Sequence, residues 1–298
     1  MKFLKLIGFE NLIILAFAQF IFKYGFLNQQ PGLNLSLSST NYILLVFASV
    51  LIAAGGFLIN NITANGSAQY GLSESAAYYI YGALTIGGLI IGYFIANSIG
   101  RSSFMIAFAI PVGTLYFYST NLRNSLLLGN IAIAFIIGLS IMIIGVFAIY
   151  PVVGGTSTTH ELSVIFRLIA DYAIFGVVTG FLITLVNDLK NTDEDYNAGL
   201  NTLPIAIGKA RAAKVAFVFG IIAVGMLLYY INTYLKELLW AMGYVLLAVA
   251  GPLVYFLINI WSAKAKKEFT TLEVVLKAVL FFAAASVAVI TYNIQNHA

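Results

Sequence analysis

The sequence predicts an all-α integral membrane protein, a single polytopic domain over residues 1–298 built as a bundle of about nine transmembrane helices. Three observations predict it. The chain is 61% hydrophobic and 9% charged, where soluble domains carry roughly 25% charged residues. Its mean hydropathy is +0.96. Long apolar stretches recur along the whole length. Spans of about 20 apolar residues must satisfy their backbone polar groups internally, and a helix does so within one segment.

In chain order the spans read roughly as 8–27, 41–63, 75–97, 102–119, 126–150, 163–188, 212–232, 238–261 and 271–292. Lys2 and Lys5 precede the first, and no small-residue cleavage site follows its apolar run, so it reads as a membrane helix and not a signal peptide. Gln29-Gln30-Pro31-Gly32 is a turn, and Ser36 to Thr40 starts the second helix. Asn65-Gly66 turns the chain after that helix, and Ser73-Glu74 begins the third. Pro151 to Thr159, rich in Gly and Thr, is the longest uncharged loop. An Asn-rich end closes the second span and an Asp-rich end the sixth, which reads as a weak internal repeat. Two pairs of opposite charge at i, i+4, Arg167 with Asp171 and Glu273 with Lys277, read as structural ion pairs.

Composition excludes several chemistries. With no cysteine there is no disulfide and no thiolate site. His160 and His297 cannot form a histidine cluster. Membrane lipids are expected partners and nucleic acid is not. The basic residues orient the bundle. With the N-terminus in the cytoplasm, Lys2, Lys5, Arg123, Lys190, Lys209, Arg211, Lys214, Lys264, Lys266 and Lys267 fall on the cytoplasmic side. Only Arg101, Lys236 and Lys23 fall on or near the other. The positive-inside rule supports this orientation, which places Asn187 to Gly208 on the cytoplasmic side, in the loop after span six.

That segment concentrates the acid. It holds Asp188, Asp193, Glu194 and Asp195, out of eleven acidic residues in the chain. Acid at the end of an apolar span can hold a hard cation such as magnesium, which takes oxygen ligands and often shares them with a substrate phosphate. It can also be a solvated cap. Asp188, Asn191 and Asp195 fall at i, i+3 and i+7, on one helix face. Asp193 and Glu194 point off that face and read as solvated. Gly199 and Pro204 then end the helix.

The pattern Asp188-x-x-Asn191-x-x-x-Asp195-x-x-x-Gly199-x-x-Thr202-Leu203-Pro204-x-x-x-Gly208 resembles the second aspartate-rich motif of the UbiA superfamily of intramembrane prenyltransferases. Asn191 stands where that motif has its middle aspartate; it offers an uncharged carbonyl oxygen. The segment Leu115 to Asn130, with Tyr118-Ser119, Leu122-Arg123 and Gly129-Asn130, is similar to a second stretch of the family. There Arg123 takes the position of a basic residue directed at a diphosphate, and a guanidinium suits phosphate oxygens. Asn130 reads as a helix-packing hydrogen bonder.

The resemblance breaks at the first aspartate-rich motif. Asn61, Ala64 and Ala68 occupy its three acid positions, and the segment reaches Ser73-Glu74 without the family's usual polar loop. The resemblance therefore implies a magnesium-dependent transfer of an isoprenoid from a prenyl diphosphate to an aromatic or lipid acceptor, with a weakened metal site. It implies Asp188, Asn191 and Asp195 as metal ligands and Asp188 and Asp195 as the catalytic acids. Arg123, Lys190, Asn60 and Asn61 are its candidate diphosphate contacts. With the first site so reduced, activity is expected to be weak or lost; the alternative is a non-catalytic UbiA-fold protein that binds prenyl lipid, serves as a scaffold, or is a variant with the first metal site removed, and a secondary transporter is a third reading.

Overall fold

A computed structural model describes residues 2–152 and 159–297. Residues 153–158 of the predicted loop from Pro151 to Thr159, and the side chains of His160 and His297, lie outside the described residues. Among the described residues all regular elements are helical, and nine helices are long and apolar enough to cross a membrane. They are α1 (Phe9–Gln29), α2 (Ser39–Asn65), α3 (Glu74–Ser98), α4 (Ser102–Thr120), α5 (Leu128–Ile149), α6 (Leu162–Asn197), α7 (Lys209–Leu235), α8 (Leu239–Ile260) and α9 (Lys266–Asn296). Each overlaps one span read from hydropathy. The largest difference is α6, which runs nine residues beyond the 188 read from hydropathy, so the acidic segment is helix, as the spacing of Asp188, Asn191 and Asp195 and the break at Gly199 predict.

The predicted helix starts carry their caps. Ser38 accepts a hydrogen bond from the Asn41 N–H at 3.2 Å, and Ser73 accepts one from Ala76 at 3.2 Å. Each satisfies a donor that a helix start otherwise leaves open. Gly66, at φ +76°, takes the backbone out of α2 in the left-handed region that favours glycine.

The chain divides into two compact units, each made of segments far apart in sequence. The first holds residues 1–20, 32–122 and 139–171. Its helices pack through glycine, which lets neighbours approach closely where lipid provides no hydrophobic drive. A Cβ at Gly56 would lie 2.6 Å from Leu115, one at Gly88 2.6 Å from Ile52, and one at Gly92 2.6 Å from Phe108. Fully buried Gln19 donates to the Ser140 carbonyl at 2.8 Å and to Ser49 at 3.2 Å, and the Tyr42 hydroxyl donates to the Gln19 carbonyl at 2.6 Å. Polar side chains thus join α1, α2 and α5 inside an otherwise apolar interior.

The second unit holds residues 21–31, 123–138 and 172–298. Its core includes Leu182, Leu185, Leu253, Phe256, Leu272 and Leu276, all within 1% of full burial. Buried Asn293 of α9 accepts from the Ala241 N–H at 2.9 Å, capping the start of α8 from a distant part of the chain. The buried Tyr172 and Ser286 hydroxyls lie 2.7 Å apart. Glu273 and Lys277 form the predicted ion pair at 2.7 Å.

Candidate functional site

The continuous helix that contains α6 covers Thr159–Asn197, 39 residues. At 1.5 Å per residue it is about 58 Å long, roughly twice the thickness of a bilayer's hydrocarbon core. Its apolar part ends at Val186 and its last turns are polar. The helix therefore continues past its apolar part as a regular helix, and Asp188, Asn191 and Asp195 keep the spacing of a helix face.

The exit is a glycine cap. Gly199 has φ +69°, its N–H bonds the Tyr196 carbonyl at 3.0 Å, and the Leu200 N–H bonds the Asp195 carbonyl at 3.0 Å. This is the hydrogen-bond pattern of a Schellman ending, which uses a left-handed residue to satisfy the last carbonyls. Thr202 then precedes a short helix, Leu203–Ile207, with Pro204 in its first turn. Gly208, at φ +88°, separates that helix from α7.

The second unit brings four of the expected residues together along this helix end. The buried Asn130 side chain of α5 donates from Nδ2 to Asp188 Oδ2 at 2.8 Å. Arg123 Nη2 lies 3.7 Å from Asp195 Oδ1, with Asp195 buried and Arg123 half-exposed. That separation makes an ion pair and not a tight hydrogen bond. Between the two acids, Asn191 donates from Nδ2 to Asn187 Oδ1 at 3.1 Å, which leaves its own carbonyl oxygen as an acceptor. The segment carrying Arg123 is held close by a second contact: Asn124 Oδ1 accepts from the Asn201 N–H at 2.7 Å.

The remaining charges face elsewhere. Lys190 Nζ donates to Glu273 Oε2 of α9 at 2.5 Å, and Lys277 holds the other oxygen of that carboxylate at 2.7 Å. Lys190, expected as a diphosphate contact, lies two positions from Asp188, about 200° around the helix, and is engaged with Glu273. Exposed Asp193 pairs with Lys209 at 3.0 Å, and exposed Glu194 pairs with Lys266. These two acids are solvated, in keeping with their place off the Asp188 face.

In the first unit, Asn61 donates from Nδ2 to the Leu6 carbonyl at 2.8 Å. It thereby fastens the short N-terminal helix Lys2–Leu6 to α2, beside a core of Leu6, Leu58, Ile59, Ile62 and Ala77. Asn60 keeps a buried Oδ1 with no hydrogen-bond partner among the described residues. Ala68 lies beyond the end of α2, in the 3-10 turn Ser67–Tyr70, so it does not share a helix face with Asn61 and Ala64.

Among the described residues no three His, Cys, Asp or Glu side chains gather as a metal cluster. What α6 offers is two carboxylates and an amide oxygen, with one cationic neighbour. Asn130 reads from the sequence as a helix-packing hydrogen bonder and Glu273 as the partner of Lys277; the sequence leaves unread that Asn130 bonds Asp188 and that Glu273 also bonds Lys190. Each bonds a partner 58 or 83 positions away, and no local spacing encodes that.

No family model matches the chain. Part of it is similar to digeranylgeranylglyceryl phosphate synthase of Methanopyrus kandleri, at 30% identity over 140 residues, which is 46% of this chain and 44% of that protein. The chain thus spans under half the length of this curated relative. A structure solved for digeranylgeranylglyceryl phosphate synthase in membranes superposes with a TM-score of 0.63 at 18% identity, over 97% of each chain. A UbiA homolog from Archaeoglobus fulgidus bound to Cd2+ superposes with a TM-score of 0.62 at 16% identity, over 96% of this chain and 100% of that one. The same homolog bound to GPP and Mg2+ gives 0.61 at 16% identity with the same coverage. The fold of this chain is that of the UbiA-type membrane proteins, as the resemblance at α6 implied.

Proposed function

We propose that this chain, with its UbiA-superfamily fold, is a membrane prenyltransferase that binds a prenyl diphosphate at the polar end of α6. One observation carries the reading: Asp188 and Asp195 lie on one helix face, the first held by Asn130 and the second facing Arg123. A cation-binding acid next to an arginine is what a diphosphate with its counter-ion requires.

Magnesium fits the donor set. It keeps several waters and is commonly held by one or two carboxylates together with substrate phosphates. The Asp188 and Asp195 Cα atoms are about 10.5 Å apart along the axis, since seven residues separate them. Asn191 lies between them and can share an ion with either acid. When bound, the cation would neutralise charge on the leaving diphosphate as the carbon–oxygen bond ionises. Arg123 supplies the second neutralising charge and a forked donor for phosphate oxygens. Asn130 fixes the Asp188 carboxylate in one orientation, so less conformational freedom is lost when a ligand arrives. Lys190 serves instead to tie α6 to Glu273 of α9.

The acceptor we favour is a lipid hydroxyl over an aromatic ring, because the partial relative is named for an isoprenoid-bearing glyceryl phosphate. The N-terminus and the Asp188 segment are assigned to the cytoplasmic side on the distribution of Lys and Arg. The second reading is a non-catalytic prenyl-lipid binder. It is favoured by Asn61, Ala64 and Ala68, which bring no carboxylate, and by the commitment of Asn61 to the Leu6 carbonyl. Purified protein incubated with a labelled prenyl diphosphate, magnesium and a panel of lipid and aromatic acceptors separates the two. A prenylated product supports the transferase. Magnesium-dependent binding with no product from any acceptor supports the binder.

A further inference from the structure

The two acids of α6 are held in different ways. Asp188 is held by a neutral donor, the Asn130 amide, at 2.8 Å. That bond brings no charge to Asp188, which feels the Arg123 charge only at longer range. Asp195 faces a full positive charge, Arg123, at 3.7 Å. A guanidinium and a divalent cation cannot both sit against one carboxylate without repelling each other. Arg123 lies in the 3-10 turn Leu122–Asn124 and is half-exposed, and that turn is anchored one residue on by the Asn124 side chain, whose Oδ1 accepts from the Asn201 N–H, so the Arg123 side chain can swing while the turn stays in place.

We propose, resting on the diphosphate reading above, that Asp195 is an exchange ligand. Without diphosphate it is engaged by Arg123, and Asp188 with Asn191 forms the resting cation site. An arriving diphosphate draws Arg123 onto its own oxygens, and Asp195 passes to the cation. The two ligands then favour each other through a residue that each releases for the other, and linkage requires the effect to be mutual. Nothing covalent changes in this step; one ion pair is exchanged for two.

The test measures each ligand alone, which avoids the complex the two form in solution. Mn2+, standing in for magnesium, is titrated into the purified full chain with no diphosphate present, and free ion is read by its paramagnetic signal. Arg123→Gln is expected to bind Mn2+ about three- to tenfold more tightly than wild type, because the competing charge is gone. Arg123→Lys, which keeps the charge, stays within about twofold of wild type. In the reciprocal experiment, geranyl diphosphate is titrated in the presence of a chelator. Asp195→Asn is expected to bind it about three- to tenfold more tightly, because Arg123 is already released. Arg123→Gln that binds Mn2+ no better than wild type overturns the exchange, as does Arg123→Lys that behaves like Arg123→Gln. Failure of wild type and all variants to bind geranyl diphosphate, with or without cation, overturns the diphosphate reading itself. That outcome is distinct because the ranking of Mn2+ affinities is measured independently.

Discussion

The ends of α2 and α6 are built alike and used differently. Each helix finishes just before a left-handed glycine, Gly66 at φ +76° and Gly199 at φ +69°. Each carries a run of polar residues in its last turns. At α2 those residues are neutral, and apart from the buried Asn60 Oδ1 the amides and hydroxyls find partners nearby. Asn61 bonds the Leu6 carbonyl, Thr63 bonds the Ile59 carbonyl at 2.8 Å, and Asn65 reaches the Tyr70 hydroxyl at 3.4 Å. At α6 they are charged and are met by side chains from elsewhere in the chain, Asn130, Arg123 and Glu273 on the inner faces and Lys209 and Lys266 at the surface. An amide can close its hydrogen bonds on backbone and so becomes architecture. A carboxylate brought out of the membrane needs a donor or a cation, and whatever holds it can be exchanged for a ligand.

The comparison breaks most visibly if the two ends prove to face opposite sides. Both are expected to face the cytoplasm, from the charge distribution. The chain has no cysteine, so single cysteines at Ala68 and Ala198, both exposed, report without background. A membrane-impermeant thiol reagent should label both in opened or inverted membranes and neither in intact cells. Labelling of Ala198→Cys in intact cells would reverse the orientation, and labelling of one site only would end the parallel between the two helices.

The next largest effect separates the charged end from the neutral one. Asp188→Ala and Asp195→Ala each remove a carboxylate from a cation that demands a near-complete octahedron of oxygens. Each should lower magnesium-dependent binding of geranyl diphosphate by at least about tenfold, a loss of about 1.4 kcal/mol or more. Asn60→Ala should change it by far less, since it removes no charge. A filter-binding or calorimetric titration decides, and equal losses at all three sites would assign the diphosphate to both ends.

Much of this architecture is legible in the sequence, because hydropathy and helical period are local signals. The spans, the caps at Ser38 and Ser73, the breaks at Gly66 and Gly199 and the common face of Asp188, Asn191 and Asp195 all follow from residues within a few turns of one another. Hydropathy alone ends span six at 188, but the i, i+3, i+7 spacing of Asp188, Asn191 and Asp195 and the break at Gly199 carry the helix on through those acids, and nothing between Val186 and Asn197 interrupts it. The partners of the polar groups are illegible. Asn130 for Asp188, Leu6 for Asn61 and Glu273 for Lys190 are set by how helices pack, and Lys190 reads as a phosphate ligand until α9 is placed beside it.

A subtler test asks whether the α2 end can be given the chemistry of the α6 end. Placing Asp at 61, 64 and 68 restores three acids in sequence but not on one face, because Ala68 is past the helix end. Asn61→Asp also replaces the donor to the Leu6 carbonyl with an oxygen that repels it. An unsatisfied, partly buried polar pair costs on the order of 1–3 kcal/mol. The expected result is a melting temperature several degrees lower and faster proteolysis near Lys2–Leu6, with little gain in magnesium affinity. Asn61→Ala, which removes the bond without the repulsion, should fall between this variant and wild type. A large gain in magnesium affinity at unchanged stability would show that Asn61 is a replaceable ligand and not a fastening.

The smallest expected effect lies within α6 itself. Asp193 differs from Asp195 by two positions, about 200° around the helix. Its side chain is 84% exposed and pairs with Lys209 at 3.0 Å, while that of Asp195 is 9% exposed and faces Arg123. Exposed ion pairs contribute roughly 0–1 kcal/mol and are screened by salt. Asp193→Ala should therefore leave magnesium-dependent binding of geranyl diphosphate within about twofold of wild type, and should shift stability by well under 1 kcal/mol. Any small loss should fade as ionic strength rises, because it comes from long-range charge and not from ligation. The loss in Asp195→Ala should persist in salt. If the two variants weaken binding equally at all ionic strengths, the end of α6 acts through net negative charge, and the face that joins Asp188, Asn191 and Asp195 has no special part in it.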